Sequence, residues 1–142
     1  MKLRIVIDKE REEKILIYAH ERNSLIESIE KLVTPSDGFT AYSENEAVKL
    51  TEDEVYCFIS ENGNTYAITE GEKLKVKLRL YQLEEKLGDD FIRLNQSCIG
   101  SVSKMKRFET GFSGSLTVVF KNGYKDYVSR RQLKAVKERL GI

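Results

Sequence analysis

The sequence has few of the residues that form metal sites, disulfide frameworks or catalytic centres. It contains one histidine, His20, two cysteines, Cys57 and Cys98, and no tryptophan. The cysteines have no C-x-x-C spacing and no histidine close by in sequence, which argues against a zinc site and indicates two core thiols. A lone histidine in a predicted strand is usually structural, and no candidate nucleophile lies near it. We therefore expect no metal, no cofactor and no enzymatic activity.

Long apolar runs and glycine-rich phosphate loops are also missing. No run approaches the ~20 apolar residues that cross a bilayer, and the first ten residues, MKLRIVIDKE, lack the apolar stretch of a signal peptide. The segment GNTYAITEG lacks the Lys-Ser/Thr ending of a phosphate loop, so no small-molecule substrate is indicated. With 33% charged and 40% hydrophobic residues, the chain is expected to be a folded cytoplasmic protein.

Positive charge is concentrated in the last third of the chain. The formal net charge is only +1, but residues 93–142 hold 11 Lys or Arg and 3 Asp or Glu. Residues 51–92 hold 5 and 10, and residues 1–50 hold 8 and 10. Such a distribution can create a phosphate-seeking surface in a chain of neutral average charge. Charge alone does not distinguish that surface from an ordinary solvated basic face.

Residues 1–50 are predicted to form a small βαβ-like unit. Leu3, Ile5 and Ile7 alternate with Lys2, Arg4 and, less cleanly, Val6, which predicts a strand, and a second strand is predicted over residues 14–20. Ser24 and Glu27 have the spacing of a capping box, and apolar residues then recur at helical spacing until Thr34-Pro35. Short strands are predicted over residues 38–43 and 47–50. The acidic run at 51–54 is the predicted boundary with a second domain.

Residues 51–142 are predicted to form a β-rich domain with short helices, so the predicted fold class is α+β, mostly β. Asn62-Gly63 and Asn122-Gly123 suit the positive φ of tight hairpin turns. Helices are predicted over residues 80–88 and after Ser129, which forms a capping box with Gln132. Residues 91–101 are predicted to be an irregular turn held by buried neighbours. Strands are predicted over residues 55–60, 65–69, 73–78, 104–110, 115–120 and 124–128.

The basic third contains residue types that recognise nucleic acid. Arg130 and Arg131 open a capped helix, whose free N–H groups also attract phosphate. Arginine can bind a guanine edge with two hydrogen bonds, and Asn and Gln can pair with adenine, which makes Arg93, Asn95 and Gln96 candidates. The arginines could instead cover the terminal helix, and Asn95 and Gln96 could merely satisfy a loop. Residue chemistry leaves both interpretations open.

Residues 55–140, about 60% of the chain, resemble a LytTR DNA-binding domain. The resemblance rests on the order of the VYCFISENGNTYAIT hairpin, the KVKLRLYQLEEKL strand and helix, and a Phe-x-Arg-x-x-x-Ser motif in FIRLNQSCIGSV. The FSGSLTVVFKNG hairpin and the closing YVSRRQLKAVKERLG follow in the same order. The whole chain looks like the short stand-alone LytTR regulators, which lack a phospho-receiver domain and are often partnered with a small restraining membrane protein.

This resemblance implies an elongated set of antiparallel sheets whose loops, rather than a recognition helix, enter successive major grooves of double-stranded DNA. The implied base-reading positions are Thr65, Asn95, Gln96 and Arg131. The implied phosphate-binding positions are Arg79, Ser97, Lys121, Tyr127, Ser129 and Lys134, with Arg93 and Arg130 as additions. Better-known members often carry a histidine near Thr65 and other residues near Asn95-Gln96, so their base preference is not carried over.

The sequence thus predicts a sequence-specific, bacterial-type transcription regulator that binds repeated half-sites on double-stranded DNA. The slight negative charge of residues 1–50 argues against DNA contact there, so we expect this unit to mediate homodimerisation or to bind a restraining partner. One alternative is a protein-interaction module with an incidental basic face. RNA binding is a weaker alternative, because Phe58, Phe91 and Phe120 alternate as core residues do, whereas single-strand readers need exposed aromatic platforms.

Overall fold

The fold is described from a computed structural model, which describes residues 2–33 and 38–142. The chain divides into two compact units, Met1–Val33 and Thr34–Ile142. Each unit is described separately. None of the helices in these two described stretches has the length and apolar character needed to cross a lipid bilayer.

The first unit contains a single helix within its described residues, α1 (Ser24–Val33). Its N-cap is Asn23, not the predicted Ser24, because the Asn23 Oδ1 accepts a hydrogen bond from the Ile26 N–H at 3.1 Å. Residues 2–23 contain neither helix nor strand. The strands predicted over residues 2–7 and 14–20 are therefore not formed in the single chain. The predicted helix stop at Thr34-Pro35 lies outside the described residues.

The second unit contains two sheets in which every pair of neighbouring strands is antiparallel. The larger sheet has the strand order β2-β1-β5-β4-β3-β7-β6, and the smaller has the order β10-β9-β8. The elements in chain order are β1 (Phe39–Tyr42), β2 (Ala47–Leu50), β3 (Cys57–Glu61), β4 (Asn64–Ile68), β5 (Lys73–Val76), α2 (Leu80–Lys86), β6 (Phe91–Asn95), β7 (Cys98–Ser101), β8 (Met105–Thr110), β9 (Leu116–Phe120), β10 (Lys125–Val128) and α3 (Arg130–Leu140). The mostly β fold class is confirmed.

The strands β1 and β2 belong to the large sheet, although the sequence assigned them to the N-terminal unit. In β1, Ala41 pairs with Val76 of β5. Phe39, Ala41 and Leu50 are buried in one core with Phe58. The division between units therefore falls after residue 33 and not at the predicted residue 50, because the apolar residues of β1 and β2 are covered by this sheet.

Tight turns and a buried hairpin shape the rest of the large sheet. Asn62 and Gly63 join β3 to β4 with φ values of 52° and 78°, which confirms the predicted turn. Residues 91–101, in contrast, are not an irregular turn. They form the β6–β7 hairpin with a bulge between Arg93 and Asn95, and the polar residues obscure its pattern because Asn95 is buried beside Leu94.

Two core clusters cover opposite faces of the large sheet. Phe58 lies in the cluster with Leu80 and Leu83 of α2, whereas its neighbours Cys57 and Ile59 lie in the cluster with the small sheet and α3. This alternation is the period of a strand buried on both faces. The cysteines are free and buried, as predicted, and the nearby Cys57 thiol together with burial raises the pKa of Cys98.

Phe120 fills the centre of the second cluster and is fully buried. It packs against Gly100 of β7, where an added Cβ would lie 2.8 Å from the Phe120 Cζ atom. A glycine is required at this position because any side chain would push the ring out of place. The small sheet is thereby held against the large one.

Asp90 anchors the start of β6 to the segment after β7. Its carboxylate accepts hydrogen bonds from the Ser101 hydroxyl and from the Ser103 N–H and hydroxyl, the latter two at 3.0 and 2.8 Å. Burial by itself raises the pKa of Asp90, but these bonds outweigh that effect, so the pKa lies below its ordinary value. The charged carboxylate is therefore the form that stabilises the fold.

We expect Asp90→Asn to lower the free energy of unfolding at neutral pH by about 1 to 2 kcal/mol, because charge-assisted hydrogen bonds are lost. Since the folded pKa is depressed, the contribution of Asp90 is full above the unfolded pKa and is lost as pH falls through the folded one. Urea titrations between neutral and acidic pH would measure this. The adjacent, exposed Asp89 supplies the control Asp89→Asn, and an equal loss in that variant would contradict the assignment.

Candidate nucleic-acid interface

Four connections of the second unit meet at one end of its large sheet. Thr65 pairs with both Ser60 and Val76, which brings the β3–β4 turn beside the segment that follows β5. The Ser60 N–H donates to the Ser97 carbonyl at 2.9 Å, and the Ser129 N–H donates to the Leu94 carbonyl at 2.9 Å. We call this surface the loop end, defined as residues 62–63, 77–79, 96–97 and 129–131. It contains Gln96 and Arg131, two of the four predicted base-reading residues, and Asn95 and Thr65 lie one and two residues outside it in sequence.

Asn95 lies beneath the loop end, next to Gln96, and is only 1% exposed. Its amide nitrogen donates to Asp126 Oδ1 at 2.9 Å and to the Tyr127 carbonyl at 2.7 Å, and its Oδ1 accepts from the Ser97 N–H at 2.8 Å. These bonds join the β6–β7 turn to the strand that leads into α3. Because the side chain is fully used inside the protein, Asn95 positions its neighbours, and the base-reading role predicted for it does not fit.

Arg93 is also used within the protein. Its Nε and Nη2 donate to the carbonyls of Asn95 and Gln96, each at 2.8 Å, and its Nη1 lies 3.0 Å from Glu84 Oε1 of α2. The guanidinium thus bridges two carbonyls of the β6–β7 turn and connects this turn to α2 through the ion pair with Glu84. The Arg93 guanidinium therefore has partners within the protein, and the phosphate contact predicted for it stays a prediction.

The turn side chains Gln96 and Ser97 are exposed, supported from below by Asn95 and Arg93. At the start of α3, Arg130, Arg131 and Lys134 are exposed as well. The Ser129 side chain makes no capping hydrogen bond, so the predicted capping box with Gln132 is not formed. Free N–H groups and three cations therefore share the first turns of this helix, which favours an anion there.

The β3–β4 turn presents a different side chain from the one predicted. Thr65 is only 5% exposed, because it lies between two neighbouring strands. Asn62, at the turn itself, is exposed. Arg79 is exposed too, and its Nη1 donates to the Gly63 carbonyl at 3.2 Å, which holds this turn while leaving further N–H groups of the guanidinium facing solvent.

Lys121 lies at the opposite end of the unit. Its N–H donates to the Lys104 carbonyl at 2.9 Å, and the next residue, Asn122, donates to the Thr69 carbonyl at 2.9 Å. Thr69 follows the far end of β4, so about 16 Å of strand separates it from the β3–β4 turn. Lys121 is exposed but does not belong to the loop end, and its predicted phosphate contact does not fit with the others.

Three exposed aromatic residues lie near the loop end. The sequence predicted a phosphate contact for Tyr127, whereas Phe112 and Tyr81 were missed. Phe112 is 97% exposed in the β8–β9 loop, which lies near α3 because Leu116 pairs with Val128. Tyr127 and Tyr81 are 58% and 64% exposed. An apolar residue in the Gly-Phe-Ser-Gly turn was the available signal for Phe112. Phe58 and Phe120 are buried, as predicted.

One carboxylate stands close to these cations, and its charge is largely satisfied. Asp126 accepts hydrogen bonds from Asn95, from the Tyr127 N–H at 2.9 Å and from the Tyr124 hydroxyl at 3.2 Å. Burial, followed by this nearby negative charge, raises the pKa of Tyr124. Tyr124 thus remains a hydrogen-bond donor to Asp126, and the exposed charges of the loop end are predominantly positive.

Comparison with known proteins shows the family of this chain. Residues 45–141 match the model of the LytTr DNA-binding domain. A protein of Staphylococcus aureus strain MSSA476, named as an uncharacterized HTH-type transcriptional regulator, is 36% identical over 146 residues that cover all of this chain and 99% of the relative. A protein of the same description in strain NCTC 8325 is 35% identical with the same coverage.

The fold also matches a solved structure. A LytTr DNA-binding domain of a methyl-accepting/DNA response regulator from Bacillus cereus superposes with a TM-score of 0.71 at 21% identity, covering 76% of this chain and all of that one. Within the described residues, no two successive helices are joined by a short turn, so the fold differs from the helix-turn-helix named in the relatives. The chain belongs to the LytTR family of DNA-binding domains.

Proposed function

We propose that the protein is a transcription regulator that recognises double-stranded DNA by inserting loop-end residues into the major groove. The observation that carries this proposal is the hydrogen-bonded connection from Asn95 to Ser97 and Tyr127, which holds exposed Gln96 beside the cationic start of α3. A rigid support of this kind is what base recognition needs, because a side chain must reach a base edge with defined geometry.

Base-reading and phosphate-binding roles divide among residues that are exposed or, for Ser129, half-buried. Gln96 and Arg131 are the proposed base readers, and Asn62 takes the place of Thr65 at the β3–β4 turn. The proposed phosphate contacts are Arg79, Ser97, Tyr127, Ser129, Arg130 and Lys134. Phosphate contacts set the position of the protein on the duplex, and only the base contacts select its sequence.

The relatives named as transcriptional regulators support regulation as the biological role. We further propose that the protein acts in the cytoplasm, as a homodimer on repeated half-sites, and that a small membrane protein restrains it as in the stand-alone regulators that it resembles. Selection of binding sites from random duplexes would test sequence recognition, and two repeated half-sites at a fixed spacing are the expected product. Enrichment of no common sequence would contradict the proposal.

A second test compares classes of nucleic acid. Gel shifts with duplex DNA, duplex RNA and single strands of one sequence should show a preference for duplex DNA. Single-stranded RNA is the informative competitor, because the exposed Phe112, Tyr81 and Tyr127 could stack on unpaired bases. Tighter binding to single strands than to the duplex would replace the DNA proposal with an RNA one.

Replacing Arg131 with alanine should weaken binding to a selected site more than binding to a random duplex. The expected difference is about 1 to 3 kcal/mol, the contribution of a bidentate arginine–base contact. Fluorescence anisotropy on both duplexes would measure it. Lys121→Ala is a matched control, because it removes one exposed positive charge at the opposite end of the unit and should leave both affinities almost unchanged. Equal losses on both duplexes for Arg131→Ala would reduce Arg131 to a phosphate contact.

A further inference from the structure

Within its described side chains, the first unit has no core of its own. Across residues 2–30 and at Leu32, every side chain is at least partly exposed. The exposure is large for residues that normally lie inside proteins. The exposed fractions are 87% for Leu3, 76% for Ile5, 69% for Val6, 87% for Ile7, 65% for Ile15, 61% for Leu16, 43% for Ile17 and 89% for Tyr18. Apolar residues at this density mark a surface that is covered by another molecule.

The order of apolar and charged residues in these segments indicates that they are buried as strands of a sheet. Leu3, Ile5 and Ile7 alternate with Lys2, Arg4, Val6 and Asp8. A strand over these residues therefore has one apolar face and one face that is charged except at Val6. A second apolar run, residues 15–18, follows a turn in which Asp8 Oδ1 accepts from the Glu10 N–H at 3.0 Å and Asp8 Oδ2 lies 3.3 Å from Arg11. Two strands joined by a turn are marginally stable in water, whereas four strands with a helix to cover them are not. A second copy supplies the missing two strands.

We propose that residues 3–7 of two copies pair as antiparallel strands about a two-fold axis at Ile5. In this register Leu3 lies opposite Ile7 of the second copy, Ile5 lies opposite its own counterpart, and Lys2 lies opposite Asp8. One face of the pair is then entirely apolar, and opposite charges meet at both rims. A two-fold interface must be complementary to itself, and residues 2–8 satisfy that condition in sequence.

The charge of the unit favours a second copy over an anionic partner. Residues 1–33 hold seven Lys or Arg and seven Asp or Glu, so two copies do not repel one another, and an anionic surface such as DNA or a lipid headgroup gains no net attraction.

In the proposed dimer, residues 14–20 pair with the outer edge of residues 3–7. The helix α1 places Leu25, 45% exposed, and Ile29 against the apolar face. The result is a four-stranded sheet shared by two chains.

This interface rests on the proposed function, in which the protein binds DNA as a homodimer. It can be tested separately from DNA binding. The full chain with Ile5→Cys should form a covalent dimer under mild oxidation, since facing residues of an antiparallel pair have Cβ atoms about 4.5 to 5.5 Å apart. The control is Lys2→Cys, whose counterparts are six residues apart, or about 20 Å. The native cysteines are buried and do not interfere. Equal cross-linking of both variants would overturn the register.

A second measurement uses no cysteine. By sedimentation velocity the full chain should be a dimer, and Ile5→Ser should weaken self-association at least about tenfold, equivalent to 1.4 kcal/mol. Val6→Ser is the matched control, because Val6 lies on the other face of the strand, and it should have a much smaller effect. A monomeric wild type, or equal effects of the two variants, would overturn the inference.

The same variants separate this inference from the proposed function. Ile5→Ser should still bind a duplex with one half-site, but lose cooperative binding to two. If the wild type is monomeric yet selects a DNA sequence, the interface is wrong and the function stands. If it dimerises through residues 3–7 but binds no nucleic acid, the function is wrong and the interface stands.

Discussion

Asn95→Ala should lower the free energy of unfolding by about 2 to 4 kcal/mol, because it removes three hydrogen bonds made by a buried side chain. The groups affected are the Ser97 N–H, the Tyr127 carbonyl and one oxygen of Asp126. Urea denaturation followed by circular dichroism would measure the loss. Binding to a selected DNA site should fall too, because the β6–β7 turn and the start of α3 lose their connection.

Gln96→Ala is the control, because it removes the adjacent but exposed amide. It should change the stability by less than about 0.5 kcal/mol while weakening a selected site more than a random duplex. The two neighbouring amides thus have opposite expected profiles, one in stability and one in sequence recognition. A stable Asn95→Ala variant with lost sequence preference would return Asn95 to the role of a base reader.

Raising the salt concentration from 50 to 200 mM should weaken duplex binding by about 10² to 10³-fold. This follows if about five phosphates are neutralised, because each one releases condensed counterion and adds about 0.9 to the slope of log affinity against log salt. Arg79, Arg130 and Lys134 are exposed cations at or beside the loop end. Fluorescence anisotropy on a random duplex across a salt series would give the slope.

The slope also identifies the cations responsible. Lys134→Ala should reduce its magnitude by about 1 and weaken all duplexes alike. Lys121→Ala carries the same charge change at the opposite end and should leave the slope unchanged. A slope near zero for the wild type, or equal reductions in the two variants, would contradict a loop end that neutralises phosphates.

The local elements of this protein were largely predictable from its sequence. The Asn62-Gly63 hairpin, the helices and most strands of the second unit follow from short-range patterns, and the Phe-x-Arg-x-x-x-Ser motif in its context led to the family. These features depend on neighbours a few residues apart. The β6–β7 hairpin was missed, because a buried Asn95 and an inward-facing Arg93 break the alternation that identifies a strand.

The sequence by itself therefore determined the β-rich class, the turns, the helices and the residue types of a DNA-binding surface. Only the tertiary structure decided which of those residues reach solvent. Asn95 is buried because Asp126 and Tyr127, more than 30 residues away in sequence, bring hydrogen-bonding groups to it. Lys121 is separated from the other cations because antiparallel strands place their two ends on opposite sides of the sheet. The availability of a side chain depends on which distant segments pack against it, and local patterns do not contain that information.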